Sequence, residues 1–375
     1  MNNPFIFRKV VAGPNFTGRL NERIEILSTL KNGENVVLFA PRKYGKTSLS
    51  RVIVDELMEK GFLASRINAE YILSGRALAS AIVGSVHAAL YPERKQFFGN
   101  IREIMEYFPS LKVRTTDDLP HALNFEGVKL NDVPLLQKSF ELFQTLAAKN
   151  KKHLLVVIDE FSSVAKNMGW ETVQLIQSTI QNHNKVSYIF LVSSKALVGG
   201  LSEGGPIYKL GKKVELGPVD KKEFAVFISE KFKKTGVEID AELINKLLEF
   251  TQGHPYYTQQ LCHLLWNIAS ASEGKKIDKG ALDYAQKYLM ESETGTYKQM
   301  LAGLTTNQIK LLVELSKGNK EMYSTGTISK LEMSPSSIQR AFDGLMERES
   351  VFKTEEGVFV TDPLFAKFVM HNIKM

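Results

Sequence analysis

The amino-acid sequence predicts an α/β protein: a parallel sheet with crossover helices, followed by a helical region and a winged helix. Three observations carry this prediction. Short apolar runs alternate with helical patterns over the first 218 residues, as a parallel sheet with crossover helices requires. From Asp220 onward the pattern becomes purely helical. The last segment, from about residue 304, is typical of three helices and a two-stranded hairpin, which together make a winged helix.

The predicted sheet has five strands, each a short apolar run bounded by polar or turn residues. They cover residues 35–39, 62–67, 154–158, 186–192 and 214–216. The interval of about 70–150 between the second and third strands is unusually long, so we expect a helical insertion there. Its helices are predicted near residues 77–90, 93–107 and 134–149, and the polar, weakly periodic stretch 110–131 predicts a loop.

The helical region that follows, which we call the lid, has four predicted helices. They cover residues 220–235, 240–251, 255–269 and 278–291. The triplet Gly253-His254-Pro255 separates the second from the third, because glycine closes a helix and proline opens the next at its first turn. The winged helix is predicted from helices at 304–316, 327–331 and 334–349 and strands at 351–353 and 358–361.

Composition limits the class of protein. A chain of 375 residues with 43% hydrophobic residues can build two or three domains with their own cores. The N-terminal residues lack the apolar stretch of a secretory signal and no later run is long enough to span a membrane, so we expect a cytoplasmic protein without a membrane partner. Because Cys262 is the single cysteine, an intramolecular disulfide and a cysteine-rich metal site are excluded.

A candidate phosphate-binding loop (P-loop) follows the first strand. Its residues are Ala40-Pro41-Arg42-Lys43-Tyr44-Gly45-Lys46-Thr47. A strand–loop–helix turn supplies backbone N–H donors to phosphates, Lys46 supplies a cation and Thr47 a hydroxyl for Mg²⁺. Gly45 lets the backbone approach the phosphates, whereas alanine stands at position 40 in place of the usual first glycine. A Gly-Lys-Thr triplet also occurs in ordinary turns, and the strand before it and the helix after it favour nucleotide binding.

Two carboxylates follow the third strand, at Asp159 and Glu160. We expect Asp159 to hold Mg²⁺ through its water shell and Glu160 to polarise the attacking water, although Asp159 could instead cap a helix. A glutamate beside the magnesium aspartate favours hydrolysis over phosphotransfer. The fourth strand ends at Ser193, whose hydroxyl is a candidate for sensing the γ-phosphate or positioning water; a serine here is also ordinary turn chemistry.

Taken together, these residues resemble the AAA+-like signal-transduction (STAND) ATPases, specifically the archaeal-type ATPase family that is also widespread in bacteria. Phe16-Thr17-Gly18-Arg19, followed by Glu22, looks like the family's N-terminal motif, which cups the adenine. The P-loop and the following Ser48 are similar to the family's P-loop, in which proline follows the first position. Asp159-Glu160 matches its second motif and Gly253-His254-Pro255 its lid signature. Asp362-Pro363 stands where related winged helices carry the same pair.

The resemblance implies an architecture and a set of nucleotide contacts. It implies a P-loop sheet in strand order 5-1-4-3-2, with an ATPase domain at 1–218, the lid at 219–295 and the winged helix at 296–375. Phe16, Gly18, Arg19, His254 and Pro255 are implied to contact ATP or ADP, while His254 could equally be a buried structural histidine. Relatives often carry an arginine near residues 206–208, where this chain offers Lys209, Lys212 and Lys213 instead. Lysine lacks the guanidinium fork, so stimulation by a neighbouring subunit is in doubt and we expect slow turnover.

Three functions remain open at this point. The first is a nucleotide-driven switch that acts on a protein partner and could form a nucleotide-dependent oligomer. The second is a DNA-directed ATPase, although residues 304–375 carry nine cationic and nine acidic side chains and DNA affinity rests mainly on cations. The third is a nucleotide-binding scaffold that does not hydrolyse ATP. The sequence favours the first.

Overall fold

The computed structural model describes residues 2–90, 107–108, 112–113, 123–124, 132–193, 205–319, 321–354 and 357–373. The helix predicted near 93–107 and the loop predicted at 110–131 lie almost entirely outside these residues. Of the loop, residues 112–113 and 123–124 are described, and they pair as two short antiparallel strands. In the described part of the chain, no helix is long and apolar enough to cross a membrane.

The central sheet is parallel and has the predicted order. Its strands are β1 (Val36–Phe39), β2 (Leu63–Asn68), β3 (Leu154–Asp159), β4 (Val186–Val192) and β5 (Lys212–Glu215). They lie in the order 2-3-4-1-5, which read from the other edge is 5-1-4-3-2, so the prediction is confirmed. The central strands β1, β3 and β4 are buried along their whole length, which explains why they read as continuous apolar runs.

Helices cover both faces of the sheet. They are α1 (Leu20–Lys31), α2 (Lys46–Glu59), α3 (Gly75–Leu90), α4 (Asp132–Lys149), α5 (Ser162–Met168) and α6 (Trp170–Ile180). On one face, α1 and α2 pack on alternate strand residues such as Leu38 and Val157. On the other face, α3, α4 and α6 pack on the intervening residues such as Val37 and Val156. This alternation follows from the two-residue period of a strand.

The lid consists of four helices, close to the predicted positions. They are α7 (Lys221–Lys234), α8 (Ala241–Thr251), α9 (Pro255–Ser270) and α10 (Lys279–Ala302). The Asp220 side chain caps α7 by accepting hydrogen bonds from two backbone N–H groups of the first turn. Helix α10 was predicted to end at residue 291 but continues to Ala302, so it passes through the proposed domain boundary at 295.

The winged helix contains the predicted elements and one further helix. They are α11 (Thr306–Ser316), α12 (Thr325–Leu331), α13 (Pro335–Glu347), β6 (Val351–Thr354), β7 (Gly357–Val360) and α14 (Pro363–Asn372). The strands form an antiparallel hairpin. Lid and winged helix share one hydrophobic core, in which Leu247 and Leu289 of the lid lie with Phe365 of α14. The two regions therefore pack as neighbours rather than as separately cored domains.

Candidate nucleotide-binding site

The P-loop connects the end of β1 to the first turn of α2, the geometry that presents backbone N–H groups to an anion. Gly45 has a φ of 92°, in the left-handed region that favours glycine. A Cβ built on Gly45 would meet nothing within 4 Å, so the backbone conformation explains the glycine, not a lack of space. Ala40 directly follows β1 and is fully buried. Its small side chain is accommodated at the position where the usual P-loop carries its first glycine.

Lys46 lies inside this loop and is 5% exposed. Its Nζ donates to the carbonyl oxygens of Ala40, at 2.7 Å, and Pro41, at 3.0 Å. Burial lowers the pKa of Lys46 to about 8, an effect that the negative charges of Glu160 and Asp159 oppose. The ammonium group is thus held at the loop, next to the carboxylates, where an entering phosphate would meet it.

The predicted metal residues lie together at the ends of β3 and α2. The Thr47 hydroxyl donates to Asp159 Oδ2 at 3.1 Å. These are hard oxygen donors, and Mg²⁺ in proteins is held by one or two carboxylates together with substrate phosphates, so the residues fit Mg²⁺. The described residues contain no cluster of three or more His, Cys, Asp or Glu side chains that would suit another metal.

Glu160 and Ser193, which the sequence suggested separately as catalytic residues, also lie together. The Ser193 hydroxyl donates to the Glu160 carboxylate. Glu160 adopts a left-handed φ of 52° and donates its N–H to Asp159 Oδ1 at 3.0 Å. This backbone turn sends the two neighbouring carboxylates in different directions, with Asp159 toward Thr47 and Glu160 toward the cavity.

Sequence analysis missed Arg66, which contacts the same carboxylate. Arg66 lies on β2, next to β3, and its guanidinium is 2.8 Å from Asp159 Oδ2. The Arg66 side chain is 34% exposed, against 12% for Asp159. The signal available in the sequence was the predicted strand order, which places β2 beside β3 and brings Arg66 near the end of that strand.

A cavity of about 430 Å³ runs from the P-loop to the lid and the N-terminal residues. Its lining includes the P-loop from Arg42 to Thr47 and the predicted residues Phe16, Arg19, Ser48, Glu160 and Pro255. It also includes residues to which no sequence motif pointed, namely Ile6, Phe7, Arg8, Lys9, Val10, Val11, Asn15, Glu70, Val219, Phe224, Tyr256 and Gln259. The cavity therefore has a polar end at the P-loop and a mostly apolar wall beyond it.

The predicted N-terminal motif ties the P-loop to the lid. Arg19 is buried, and its guanidinium donates to the carbonyl oxygens of Tyr44, Gly217 and Pro218. It also pairs with Glu22 at 3.1 Å, while burial lowers its pKa. At Gly18, a Cβ would lie 2.7 Å from the Val219 side chain, so a glycine is needed for this close approach.

The residues before this motif form a strap across the cavity. Ser48 Oγ accepts a hydrogen bond from the Val11 N–H at 3.1 Å, which joins the strap to α2. At its other end, Phe5 is buried in the lid core and its carbonyl oxygen lies 2.7 Å from His263 Nδ1 on α9. The Asn3 amide donates to the His263 carbonyl oxygen at 2.9 Å. The strap thus spans from the P-loop helix to the lid.

His254 lies against the P-loop. It is 3% exposed, and its Nδ1 accepts from the Tyr257 N–H, which caps α9. Burial, helped by the nearby Lys43 charge, lowers the pKa of His254 to about 3, so the ring is neutral at physiological pH. Its ring meets the Tyr44 ring edge-on at 4.6 Å between centroids. This is the environment of a structural histidine, while the adjacent Pro255 lines the nucleotide cavity.

The P-loop also touches the winged helix directly. The Tyr44 hydroxyl donates to the Thr361 carbonyl oxygen, just after β7, at 3.1 Å. Arg42 lies 3.6 Å from the Glu349 carboxylate, and the Tyr44 ring meets Phe352 of β6 at 6.2 Å between centroids. The same loop that would bind phosphate is therefore in contact with the C-terminal domain.

Comparison with known proteins agrees with this geometry. Residues 16–261 match the ATPase domain family described as predominantly from Archaea, and residues 295–371 match a probable winged helix domain. No curated protein of similar sequence matches. A Walker-type ATPase of Pyrococcus abyssi is similar in fold, with a TM-score of 0.67 and 15% identity over 98% of this chain and 99% of that one.

Two further solved structures have this arrangement of domains. The ORC2 protein of Aeropyrum pernix, in ADPNP–ADP complexes, has a TM-score of 0.59 and 13% identity over 98% of this chain and 96% of its own. The ORC1 protein of the same organism, in complex with DNA, has a TM-score of 0.50 and 13% identity over 95% and 92%. Such identities show the fold alone. Because the ATPase-domain match spans more than half of the sequence, the chain belongs to the archaeal-type P-loop ATPase family, with a winged helix at its C-terminal end.

Proposed function

We propose that the protein is an ATP-hydrolysing molecular switch, in which the bound nucleotide controls how the lid and winged helix lie toward a protein partner. One observation carries this proposal: Tyr44, within the P-loop, donates its hydroxyl to Thr361 of the winged helix. Any change in the P-loop on phosphate binding must act on this contact, because the donor belongs to the loop itself. The nucleotide state and the domain arrangement would then be coupled through this direct hydrogen bond.

The site residues support hydrolysis. We propose that Thr47 and Asp159 hold Mg²⁺, which supplies charge neutralisation at the phosphates when bound. Lys46 would turn from the carbonyl oxygens of Ala40 and Pro41 to the phosphates, exchanging neutral partners for charged ones. Glu160 would polarise the attacking water, with Ser193 holding its carboxylate in place. Turnover is expected to be slow, since lysines stand where relatives carry an arginine.

Phosphate release by purified protein tests hydrolysis. Lys46→Ala should weaken ADP and ATP binding, because the loop loses its cation. Glu160→Gln should bind ATP normally. It should release phosphate at least about 100-fold more slowly than wild type, as expected for losing a general base. Lys60→Ala, at the far end of α2 in a surface pair with Glu56, is the control and should behave as wild type.

The outcomes separate the open readings. If wild type, Lys46→Ala and Glu160→Gln all release phosphate at the rate of buffer alone, hydrolysis is wrong. Equilibrium binding of labelled ADP then decides whether the chain is a nucleotide-binding scaffold. Proteins that co-purify with Glu160→Gln in the presence of ATP would identify the partner, because that variant is expected to hold the ATP-bound state.

A DNA-directed ATPase is the second candidate. It is favoured by the outer face of α13, where Ser336, Gln339 and Arg340 are exposed, and by the DNA complex of the ORC1 neighbour. Against it, Gln339 already bonds Asp343 and Arg340 bonds the Ser336 carbonyl oxygen. A gel shift at increasing salt discriminates: duplex binding that weakens steeply with salt would favour DNA over a protein partner.

A further inference from the structure

Gln259 has a buried polar side chain with an unpaired hydrogen-bonding atom. It lies on α9 of the lid, lines the nucleotide cavity and is 7% exposed. Its carboxamide oxygen is buried and has no hydrogen-bond partner among the described residues. Leaving a buried carbonyl-type oxygen unpaired is costly, so such a group in a binding cavity indicates a donor that comes with the ligand.

Gln259 lies on the lid side of the cavity, where we place the base of the nucleotide. It shares one face of α9 with Pro255 and Tyr256, which lie four and three residues before it. Apolar side chains form much of the lining, namely Ile6, Phe7, Val10, Val11, Phe16, Val219 and Phe224, beside polar ones such as Lys9 and Thr17. Apolar walls suit the flat faces of a purine, and the phosphate end is fixed at the P-loop.

Several of the other polar groups on the cavity wall have protein partners. Asn15 Oδ1 accepts from Lys231 Nζ at 2.5 Å, and Ser48 Oγ accepts from the Val11 N–H at 3.1 Å. Arg19 is held by three carbonyl oxygens. These side chains are held in place by protein partners. The carboxamide oxygen of Gln259, in contrast, has no hydrogen-bond partner among the described residues.

We infer that the Gln259 carboxamide reads the adenine base by accepting a hydrogen bond from its 6-amino group. This inference rests on the proposed nucleotide site. Adenine carries a donor at position 6, whereas guanine carries a carbonyl oxygen there, which cannot donate. The amide N–H₂ of the same side chain can donate to a neighbouring ring nitrogen of adenine, so one residue provides two contacts. Gln259 would thus determine base specificity from the lid, and a closed lid would be needed for it.

A ligand–protein cycle tests this directly. ADP and purine riboside 5′-diphosphate, which lacks only the 6-amino group, are titrated by calorimetry into wild type and Gln259→Leu. Wild type should bind the analogue about tenfold more weakly than ADP, since a site built for a donor is left unpaired. Gln259→Leu has nearly the same volume but no acceptor, and it should bind the two ligands equally.

The chain provides a matched control in the next residue. Gln260 also has a buried, unpaired carboxamide oxygen, but it does not appear in the lining described for the cavity. Gln260→Leu should therefore keep the wild-type discrimination. If Gln259→Leu discriminates as wild type does, or if wild type binds both ligands equally, the inference is wrong. Should Gln259→Leu not fold, Gln259→Met gives the same comparison. Failure of wild type to bind ADP at all would instead refute the proposed nucleotide site.

Discussion

Asp159 shows how one carboxylate can be held by three groups at once. Its Oδ1 accepts the Glu160 N–H, while its Oδ2 accepts both the Thr47 hydroxyl and the Arg66 guanidinium. A divalent cation shared by Thr47 and Asp159 needs lone pairs on that second oxygen. Arg66 competes for them and, as a like charge, repels the metal. The Mg²⁺ that we propose at this site would therefore compete with Arg66 for Asp159.

Arg66→Ala should therefore change how stability depends on metal. In EDTA the free energy of unfolding should fall by about 1 kcal/mol, because Asp159 loses its Arg66 partner. The loss is modest since that ion pair is partly exposed. With ADP, adding Mg²⁺ should raise the stability of Arg66→Ala by more than that of wild type, since the guanidinium no longer occupies Oδ2. Denaturant unfolding with and without metal measures both effects.

Arg23→Ala is the control for this prediction. Arg23 pairs with Glu56 at 2.8 Å, the same length as the Arg66 pair. Glu56 stands nine residues after Thr47 on α2, about 13 Å along the helix axis. Its loss should cost less than about 1 kcal/mol and should not depend on metal. An equal response of the two arginine variants to Mg²⁺ would refute the competition at Asp159.

Among the elements, the strands and the P-loop were predictable from the sequence. Features that depend on contacts between distant parts of the chain, such as the end of α10 and the position of the strap, were not. The buried strands β1, β3 and β4 read as continuous apolar runs, and the edge strands β2 and β5 were also located within a few residues. The end of α10 was missed because Gly295 reads as a helix breaker, while Tyr297, buried in the shared core, keeps the helix going. The strap has Phe5 and Phe7 without a helical or strand period, so its position over the cavity depends on tertiary contacts alone.

The same limit applies to the candidate site. Lys46 and Thr47 follow from one short motif and Asp159 and Glu160 from another, and the structure places the two motifs together. Gln259 carries no local signal, because a glutamine on an amphipathic helix is ordinary. Its role depends on the cavity that segments distant in sequence form around it.

Helix α14 is fastened to the lid through its capping residue. Asp362 Oδ1 accepts from the N–H groups of Leu364 and Phe365, and its Oδ2 accepts from the hydroxyls of Tyr257 and Tyr297. Burial, and then the Asp362 charge, raises the pKa of both tyrosines, so they remain donors across the physiological range. Asp362→Ala should cost about 2–4 kcal/mol, combining a lost cap with unpaired buried hydroxyls.

A second capping aspartate isolates the tyrosine contribution. Asp278 caps α10 by accepting from the Ala281 N–H at 2.8 Å, at an exposed position. Asp278→Ala should lose only the cap, about 1 kcal/mol. Urea unfolding of the two variants gives the difference. Equal losses would show that the tyrosine bonds of Asp362 contribute nothing to joining the lid and the winged helix.

At the scale of the whole molecule, the nucleotide cavity and the winged helix lie on two sides of one loop. A second cavity of about 540 Å³ lies between the P-loop, the lid and the winged helix, lined by Arg42, His254, Tyr297, Glu349 and Asp362 among others. The contacts of Tyr44 and Arg42 connect the winged helix to the loop beside this cavity. A modest difference in nucleotide binding free energy between two P-loop conformations can break such contacts.

We therefore expect ATP to separate the winged helix from the P-loop. Cysteines introduced at the exposed positions Met58, on α2, and Met370, on α14, can carry spin labels, since the native Cys262 is buried. In a Glu160→Gln background, the label distance should lengthen with Mg·ATP relative to ADP. Tyr44→Phe, which removes only the hydroxyl donor to Thr361, should shift the nucleotide-free protein toward the longer distance. The exposed Tyr323→Phe, within the winged helix, should not. A distance that is the same with ADP and ATP would contradict the switch while leaving the proposed hydrolysis intact, because that proposal rests on Glu160 and Lys46 and not on the Tyr44 contact.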